Sequence, residues 1–344
     1  MNHNFFSGKR ILITGGTGSL GQALVRRIIS GEMGMPEKVI VFSRDEEKQH
    51  RMRLDYQEKV VATDEVIYSG SKSVLEFMIG DVRSYDSISH AVRKADLVIF
   101  ASALKQVPTC EYFPYEAILT NSIGAQNLVR AIEEHGQHVS CVVGISTDKA
   151  CKPVNVMGMT KALQERILIS ANLHTKNTRF ICVRYGNVIA SRGSVIPLFQ
   201  KQIASGEPIT VTSPEMTRFL LTIDQAVDTV FYALQVCYTG EILVPHLPSA
   251  RIIDIAEVMR GERDIPIIFS GVRPGEKIHE VLVSEEEAFR TVEVDHAFII
   301  QPILPELRRP RVGMPTLNKE YSSADKLVDK ETLRSILSQA GVLT

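Results

Sequence analysis

Long apolar runs are missing from this chain. No segment approaches the roughly eighteen uninterrupted apolar residues of a membrane span, so no membrane partner is expected. The opening stretch, Met1 to Arg10, also lacks an apolar core, and no secretory signal is predicted there. An excess of charge is missing too. With 39 basic against 40 acidic side chains the formal charge is -1, which argues against nucleic acid or an anionic membrane as partner. A basic pocket for phosphates is still compatible with that balance, because net charge is silent about a cleft. Cysteines are few, and Cys110, Cys141, Cys151, Cys182 and Cys237 are scattered and odd in number. They offer neither metal-ligand spacing nor a disulfide framework, so no metal site is expected and the thiols read as reduced, in a cytoplasmic protein. Tryptophan is absent, without functional consequence.

What is present is the composition of a folded globular chain, 44% hydrophobic and 23% charged, without internal repeats. Its 344 residues suffice for a core divided between two lobes. β-Rich runs at Arg10–Thr14, Lys38–Ser43, Leu75–Ile79, Leu97–Ala101, Ser140–Ile145 and Arg179–Arg184 alternate with helical patterns at Leu20–Ser30, Tyr85–Val92, Tyr115–His135 and Gly158–Ser170. That alternation predicts an α/β fold with a doubly wound, mostly parallel sheet. Beyond Tyr185 glycine and proline punctuate a less regular pattern. We read residues 1–185 as a dinucleotide-binding domain and 186–330 as mainly a smaller substrate-binding lobe, with 331–344 as a terminal helix or tail. Residues 217–238, containing a helix at Ile223–Val236, are expected to pack back on the first domain.

The strongest local signal is Gly15-Gly16-Thr17-Gly18-Ser19-Leu20-Gly21, directly after a strand and before a helix. Gly15, Gly18 and Gly21 permit a tight turn, close approach of a pyrophosphate, and close helix–sheet packing. The free amides at the helix start, around Thr17, Ser19 and Leu20, would face the phosphates. Ser43 and Arg44 end the second strand, and a guanidinium there suits a ribose 2′-phosphate, so NADP is expected over NAD. The alternative is that Asp45 and Glu46 only neutralise Arg44 at a solvated corner. Asp81, with Val82 beside it, is placed to accept from an adenine amino group. Ala101 and Ala103, ahead of Lys105, allow close backbone approach to the cofactor, while Asn121 either orders that loop or touches a ribose.

Ser146, Thr147, Asp148 and Lys149 lie at the carboxyl edge of the fifth strand, where doubly wound sheets hold ligands. A hydroxyl, a carboxylate and an amine in succession offer a donor, an acid and a base. Lys161 follows on the next helix, one turn after Met157, where a cation could hold ribose hydroxyls.

Together with Gly80–Arg83, Ala103–Pro108, Pro153–Lys161, Arg184–Pro197, Met216–Phe219, Arg273–Lys277 and the pair His279 and Glu280, these stretches resemble the extended short-chain dehydrogenases/reductases of the Rossmann type. Within them they resemble the bacterial nucleotide-sugar 4,6-dehydratases of polysaccharide synthesis. The resemblance runs from the first strand to about residue 285. That family has Tyr-x-x-x-Lys, but here Met157 stands in the tyrosine's place ahead of Lys161, and methionine carries no proton. This departure is similar to the inverting UDP-N-acetylglucosamine 4,6-dehydratases that also epimerise C5. Other members of the wider group have been labelled UDP-glucose 4-epimerases, which makes epimerisation the alternative.

The resemblance implies oxidation at C4 of a UDP-sugar, removal of the C5 proton by Lys149, and departure of the C6 hydroxyl with help from Asp148. Thr147, a bound water and the charge of Lys161 are expected to share the proton of the C4 hydroxyl. It further implies cofactor contacts at Tyr185, Asn187 and Lys161. UDP-sugar contacts are implied at Lys105, Asn187, Arg192, Ser194, Val195, Arg218, Arg273 and Glu276. It also implies a homo-oligomer, dimer or hexamer.

Overall fold

The computed structural model describes residues 4–57, 74–189, 195–311 and 316–343. Its first six strands are β1 (Arg10–Thr14), β2 (Lys38–Ser43), β3 (Leu75–Ile79), β4 (Leu97–Phe100), β5 (Cys141–Thr147) and β6 (Arg179–Tyr185). Most of these are nearly continuous β-branched and apolar runs, such as Val39 to Phe42 and Leu97 to Phe100. Such runs suit strands covered on both faces. They pair in parallel in the order β3-β2-β1-β4-β5-β6. The chain direction of assembly reverses between β1 and β4, which opens a crevice at the carboxyl ends of those two strands.

Successive residues face opposite layers. Ile11, Ile13, Val39 and Val41 pack beneath the helices Ser19–Ile29 and Ile223–Val236. Leu12, Ile40, Val98 and Phe100 pack beneath Tyr85–Val92, Gly124–His135 and Leu168. The helix Ile223–Val236 rests on Ser19–Ile29, where Arg26 meets Asp224 and Arg27 meets Asp228.

The later chain adds β7 (Asn187–Val188), β8 (Ile209–Val211), β9 (Thr217–Leu221), β10 (Ile242–Pro245), β11 (Ser249–Arg251) and β12 (Ile267–Phe269). It ends with β13 (Val281–Val283), β14 (Thr291–Val294), β15 (Ala297–Ile300) and β16 (Tyr321–Ser322). Strand β10 joins β6 in parallel, and the β14–β15 hairpin then pairs antiparallel with β10 to complete a nine-stranded sheet. An additional lobe has its own core, in which Phe199, Ile209, Val211, Ile255, Leu333 and Leu337 bring together three helices and the β8–β12 pair.

Two of the elements read from the sequence take a different course. The fifth strand continues to Thr147, so Asp148 and Lys149 begin a short 3-10 turn at its very end. The expected helix Tyr115–His135 is replaced by Val107–Tyr112, Pro114–Ala117, a π-helical segment Ile118–Ile123 and Gly124–His135. Pro114 cannot continue the preceding helix, because it lacks an amide donor. The wider π turn carries Asn121.

Candidate active site

The glycine turn sits at the crevice between β1 and β4. Gly15 has φ +68, and a Cβ there would lie 3.0 Å from the carbonyl oxygen of Ala101 and the amide of Ser102. At Gly21 an added Cβ would meet the Gly16 Cα at 2.5 Å, so the helix can press on the turn only because this residue has no side chain. Gly18 caps the helix Ser19–Ile29 without a side-chain hydrogen bond, and no acidic residue occupies its first turn. Its leading amides therefore keep their affinity for an anion. Thr17 is buried, Ser19 exposed and Leu20 half-buried. A nicotinamide dinucleotide fits this cradle.

Ser43 is held by Gln49, whose side-chain amide donates to its carbonyl and hydroxyl, each at 3.1 Å. Arg44 lies 3.6 Å from Asp81 Oδ2. Burial would push the Asp81 carboxyl up, but hydrogen bonds from Arg83 and the charge of Arg44 outweigh it and hold it below its ordinary value. Asp81 lines a cleft with Arg83, Ser84 and Leu119, next to buried Val82.

Ala101 and Ala103 are half-buried and Lys105 is exposed, on a loop ordered by Asn121. Asn121 is wholly buried: its Oδ1 accepts from the Leu104 amide at 2.8 Å, and its Nδ2 donates to the Leu104 carbonyl and to Thr160 Oγ1. It therefore ties the loop after β4 to the helix that carries Lys161.

At the end of β5, Thr147 Oγ1 donates to Asp148 Oδ1 at 2.6 Å. Asp148 is 1% exposed and also receives the Lys149 amide at 3.0 Å and Lys149 Nζ at 3.2 Å. Lys149 Nζ further donates to Asn187 Oδ1 at 3.2 Å and stands 3.5 Å from Glu280 Oε1. Burial pulls the Lys149 ammonium down, but the carboxylates of Asp148 and Glu280 outweigh that and keep it above its ordinary value. The free-amine form expected of Lys149 is thus not its resting form.

Lys161 is buried on the helix Val156–Ala171, with Nζ donating to the Ile145 carbonyl at 2.5 Å and Gln164 Oε1 at 2.7 Å. Burial lowers its ammonium to about 8. Met157 faces Cys110, Ala117, Leu104, Val107 and Val156 in an apolar cluster. Gly158 brings this helix against the Thr147–Lys149 turn, because a Cβ there would strike the Lys149 carbonyl.

The remaining positions are more dispersed. Tyr185 is buried in the main core, and burial raises its hydroxyl. Val195 starts the helix Val195–Ser205, whereas Arg192 and Ser194 lie outside the described residues. Arg218 turns inward: it donates to the Thr217 and Ile278 carbonyls, and its Nε stands 3.5 Å from Glu280 Oε1. Arg273 is exposed, 4.0 Å from Glu276. Asn155 reaches the Gly275 carbonyl at 2.9 Å, which links that turn to the helix of Lys161.

Sequence reasoning missed a buried polar network behind the turn. Ser146 Oγ donates to Glu165, and Arg184 bridges Glu165 and Glu287. A charged residue inside the otherwise apolar run Phe180 to Tyr185 was the available signal. Glu280 was noticed only as part of a motif, without a role.

The family model described as "Polysaccharide biosynthesis protein" matches residues 11–302. A UDP-glucose 4-epimerase of Rickettsia canadensis is 45% identical over 288 residues, covering 82% of this chain and 80% of that protein. The UDP-N-acetylglucosamine 4,6-dehydratase (inverting) of Campylobacter jejuni is 39% identical over 300 residues, covering 86% and 83%. The X-ray structure of Pen from Bacillus thuringiensis superposes with a TM-score of 0.87 at 34% identity, covering 98% of this chain and 100% of that one.

The expectation of NADP is corrected. Solved structures of this fold hold NAD in DesIV from Streptomyces venezuelae and in a UDP-glucuronic acid 4-epimerase from Bacillus cereus. NADH is held in WbmF from Bordetella bronchiseptica. By sequence, Asp45 and Glu46 are the acids that could offset Arg44, whereas the carboxylate facing it is Asp81, which a 2′-phosphate would have to approach.

Among the described residues no helix is long and apolar enough to cross a membrane. A glycine cradle at the sheet's switch point, a polar turn at the end of β5 and the match across residues 11–302 converge. The chain belongs to the polysaccharide biosynthesis protein family, a group of NAD(P)-binding, nucleotide-sugar-modifying enzymes with the extended short-chain dehydrogenase/reductase fold.

Proposed function

We propose that the protein is a UDP-N-acetylglucosamine 4,6-dehydratase that inverts C5, with NAD as its resident cofactor. The observation that carries this reading is the single turn in which Thr147, Asp148 and Lys149 are hydrogen-bonded in series, beside a methionine where a tyrosine would stand. Gly15, Thr17, Gly18, Ser19, Leu20 and Gly21 would hold the pyrophosphate. Ser43, Arg44, Asp81 and Val82 would hold the adenosine end. Ala101, Ala103, Lys105, Asn121, Lys161, Tyr185 and Asn187 would shape the rest. When bound, the nicotinamide would accept hydride from C4 and return it to C6, so that no oxidant is consumed overall.

The protein's own residues move the protons. Thr147 Oγ1 takes the proton of the C4 hydroxyl while passing its own to Asp148, 2.6 Å away. Asp148, now a carboxylic acid, gives that proton to the C6 hydroxyl, which departs as water. Lys149, as a neutral amine, removes the C5 proton, which the C4 ketone has acidified. C5 then recovers a proton, and the face on which it arrives sets the configuration. General acid–base steps of this kind each contribute roughly a hundredfold to ten-thousandfold. Asn187, Arg192, Ser194, Val195, Arg273 and Glu276 are assigned to the UDP group, with Lys105 and Arg218 at its sugar end. A homo-oligomer is proposed on the band of exposed apolar side chains Tyr112, Phe113, Tyr115, Met159 and Leu163.

A second reading, a UDP-hexose 4-epimerase, draws support from the names of the Rickettsia relatives, which outnumber the dehydratase name. An epimerase has no use for an acid–base pair at C5 and C6. NMR of the protein with UDP-N-acetylglucosamine in deuterated water separates them. A 4-keto-6-deoxy product labelled at C5 is expected. UDP-N-acetylgalactosamine with C6 intact would overturn the dehydratase reading in favour of the epimerase.

A further inference from the structure

Glu280 is 2% exposed, and nothing so far uses it. It precedes β13, and its backbone is clamped by Ser323: the Glu280 amide donates to Ser323 Oγ at 2.9 Å, and the Ser323 amide donates to the Glu280 carbonyl at 2.8 Å. One carboxylate oxygen, Oε1, stands 3.5 Å from both Lys149 Nζ and Arg218 Nε. The other, Oε2, is buried without a hydrogen-bond partner. A buried carboxylate oxygen with no donor is rare, because it forfeits water without replacement. A carboxylate held this way can take a proton without breaking an existing contact.

We propose that Glu280 is a positioning residue that acts through Lys149, by accepting the ammonium proton so that the amine meets C5 uncharged. This rests on the dehydratase reading. The charged groups around Lys149 are Asp148, Glu280 and Arg218, and Asn187 adds a neutral acceptor. In the resting cluster two carboxylates face two cations. The guanidinium of Arg218 offers donors and no acceptor, so it cannot receive the proton. When the C4 hydroxyl proton reaches Asp148, one of the two carboxylates that hold the Lys149 charge is neutralised. Glu280 is then the remaining ionised acceptor. Narrowing its 3.5 Å gap to hydrogen-bond length takes a shift of about half an ångström.

The protons balance through the cycle. An N–H bond of the Lys149 ammonium breaks and an O–H bond forms on Glu280, leaving an amine and a carboxylic acid. The C5–H bond then breaks, its proton forms a new N–H bond on Lys149, and the electron pair passes to the C4 oxygen. One proton returns from the Lys149–Glu280 pair to C5, restoring ammonium and carboxylate.

The test follows C5–H exchange by NMR, using the full chain with NAD and UDP-N-acetylglucosamine in deuterated water across a pH series. Binding of UDP by calorimetry is measured in parallel. Glu280→Gln is expected to slow exchange roughly a hundredfold near neutrality. The loss should shrink about tenfold per pH unit towards the alkaline side, since Lys149 must now release its proton to solvent. The unmodified protein should show no such climb. Glu280→Asp, which keeps a carboxylate one methylene away, should retain the unmodified pH profile at a reduced rate. Exchange at the unmodified rate in Glu280→Gln overturns the proposal. So does a loss independent of pH and matched by weakened UDP binding, which marks a structural role. If Glu280→Gln does not fold, an alkaline climb in Glu280→Asp overturns it. Failure of the dehydratase reading itself appears earlier and separately, as absence of C5 labelling in the unmodified protein.

Discussion

Replacing Arg184 with methionine should unfold the protein at lower urea while leaving most of the chain's contacts in place. The guanidinium is 2% exposed, and all five of its donors are spent. Nε and Nη2 grip Glu165 at 3.0 and 2.7 Å, Nη1 and Nη2 grip Glu287 at 2.7 and 3.1 Å, and Nη1 also reaches the Leu282 carbonyl at 2.9 Å. Removing it leaves Glu165 and Glu287 buried together, with Arg290 at 3.4 Å still facing Glu287, and breaking a buried pair in this way typically costs about 3–5 kcal/mol. The pH dependence carries the sign. Burial would raise the Glu287 carboxyl, but Arg184 outweighs it and holds it down at about 2. A depressed carboxyl stabilises the fold above its unfolded value of 4.5, and that contribution, roughly 3 kcal/mol, drains away as pH falls towards about 2. Without Arg184 the sign reverses: the variant's deficit should be largest near pH 7 and should shrink near pH 5, as the orphaned pair takes up a proton. Equilibrium urea unfolding at fixed protein concentration measures this. Adding Glu165→Gln and Glu287→Gln should recover most of the loss near neutrality. A deficit below about 1 kcal/mol, or one unchanged between the two pH values, would refute the argument.

Gly158→Ala should lower turnover at least tenfold while UDP binding holds, because its Cβ would strike the Lys149 carbonyl and must displace the turn proposed to carry the chemistry. Steady-state kinetics showing unchanged kcat would contradict it. Met157→Tyr should lose about 1–3 kcal/mol in the same urea assay, since a larger, polar ring enters the Cys110–Ala117 cluster. On the proposed route through Thr147 it should not speed turnover, and a faster variant would show that a carrier was lacking. NAD should bind at least roughly tenfold more tightly than NADP by calorimetry, because Arg44 already faces Asp81 and the added phosphate would approach that carboxylate. Equal affinities would show that Arg44 turns away from Asp81 at little cost.

The nucleotide-binding half was legible because its signals are local. A strand such as Lys38–Ser43 announces itself by composition, and the glycine turn by spacing, so position and local shape could be read from neighbouring residues. The later strands were not, because β10, β14 and β15 become strands by joining an existing sheet edge, not by any pattern of their own. The site shows the same division. Thr147, Asp148, Lys149 and Lys161 fall within fifteen residues of one another and were picked out together. Glu280 reaches Lys149 from more than a hundred residues away, by way of a backbone clamp on Ser323 that no spacing rule encodes. The misreading of Arg44 has the same origin: its partner Asp81 ends the neighbouring loop after β3, and only parallel pairing of β2 with β3 brings them side by side.

The missing tyrosine makes more physical sense against that background. A tyrosine-based site keeps its proton carrier on the helix that bears the lysine, at the position Met157 occupies. Here that helix presents an apolar side chain, and Lys161 is fastened to the Ile145 carbonyl and Gln164 beneath the strand end. Proton-carrying groups gather instead on one turn, Thr147 to Lys149, within hydrogen-bond reach of one another. Such a turn is only as well placed as its supports. Behind it, Ser146 is anchored to Glu165 and thereby to Arg184; above it, Asn187 and Glu280 restrain the lysine. If the chemistry is concentrated on three consecutive residues as proposed, it needs a scaffold of buried charges, and the arginine at the penultimate position of the otherwise apolar β6 supplies its centre.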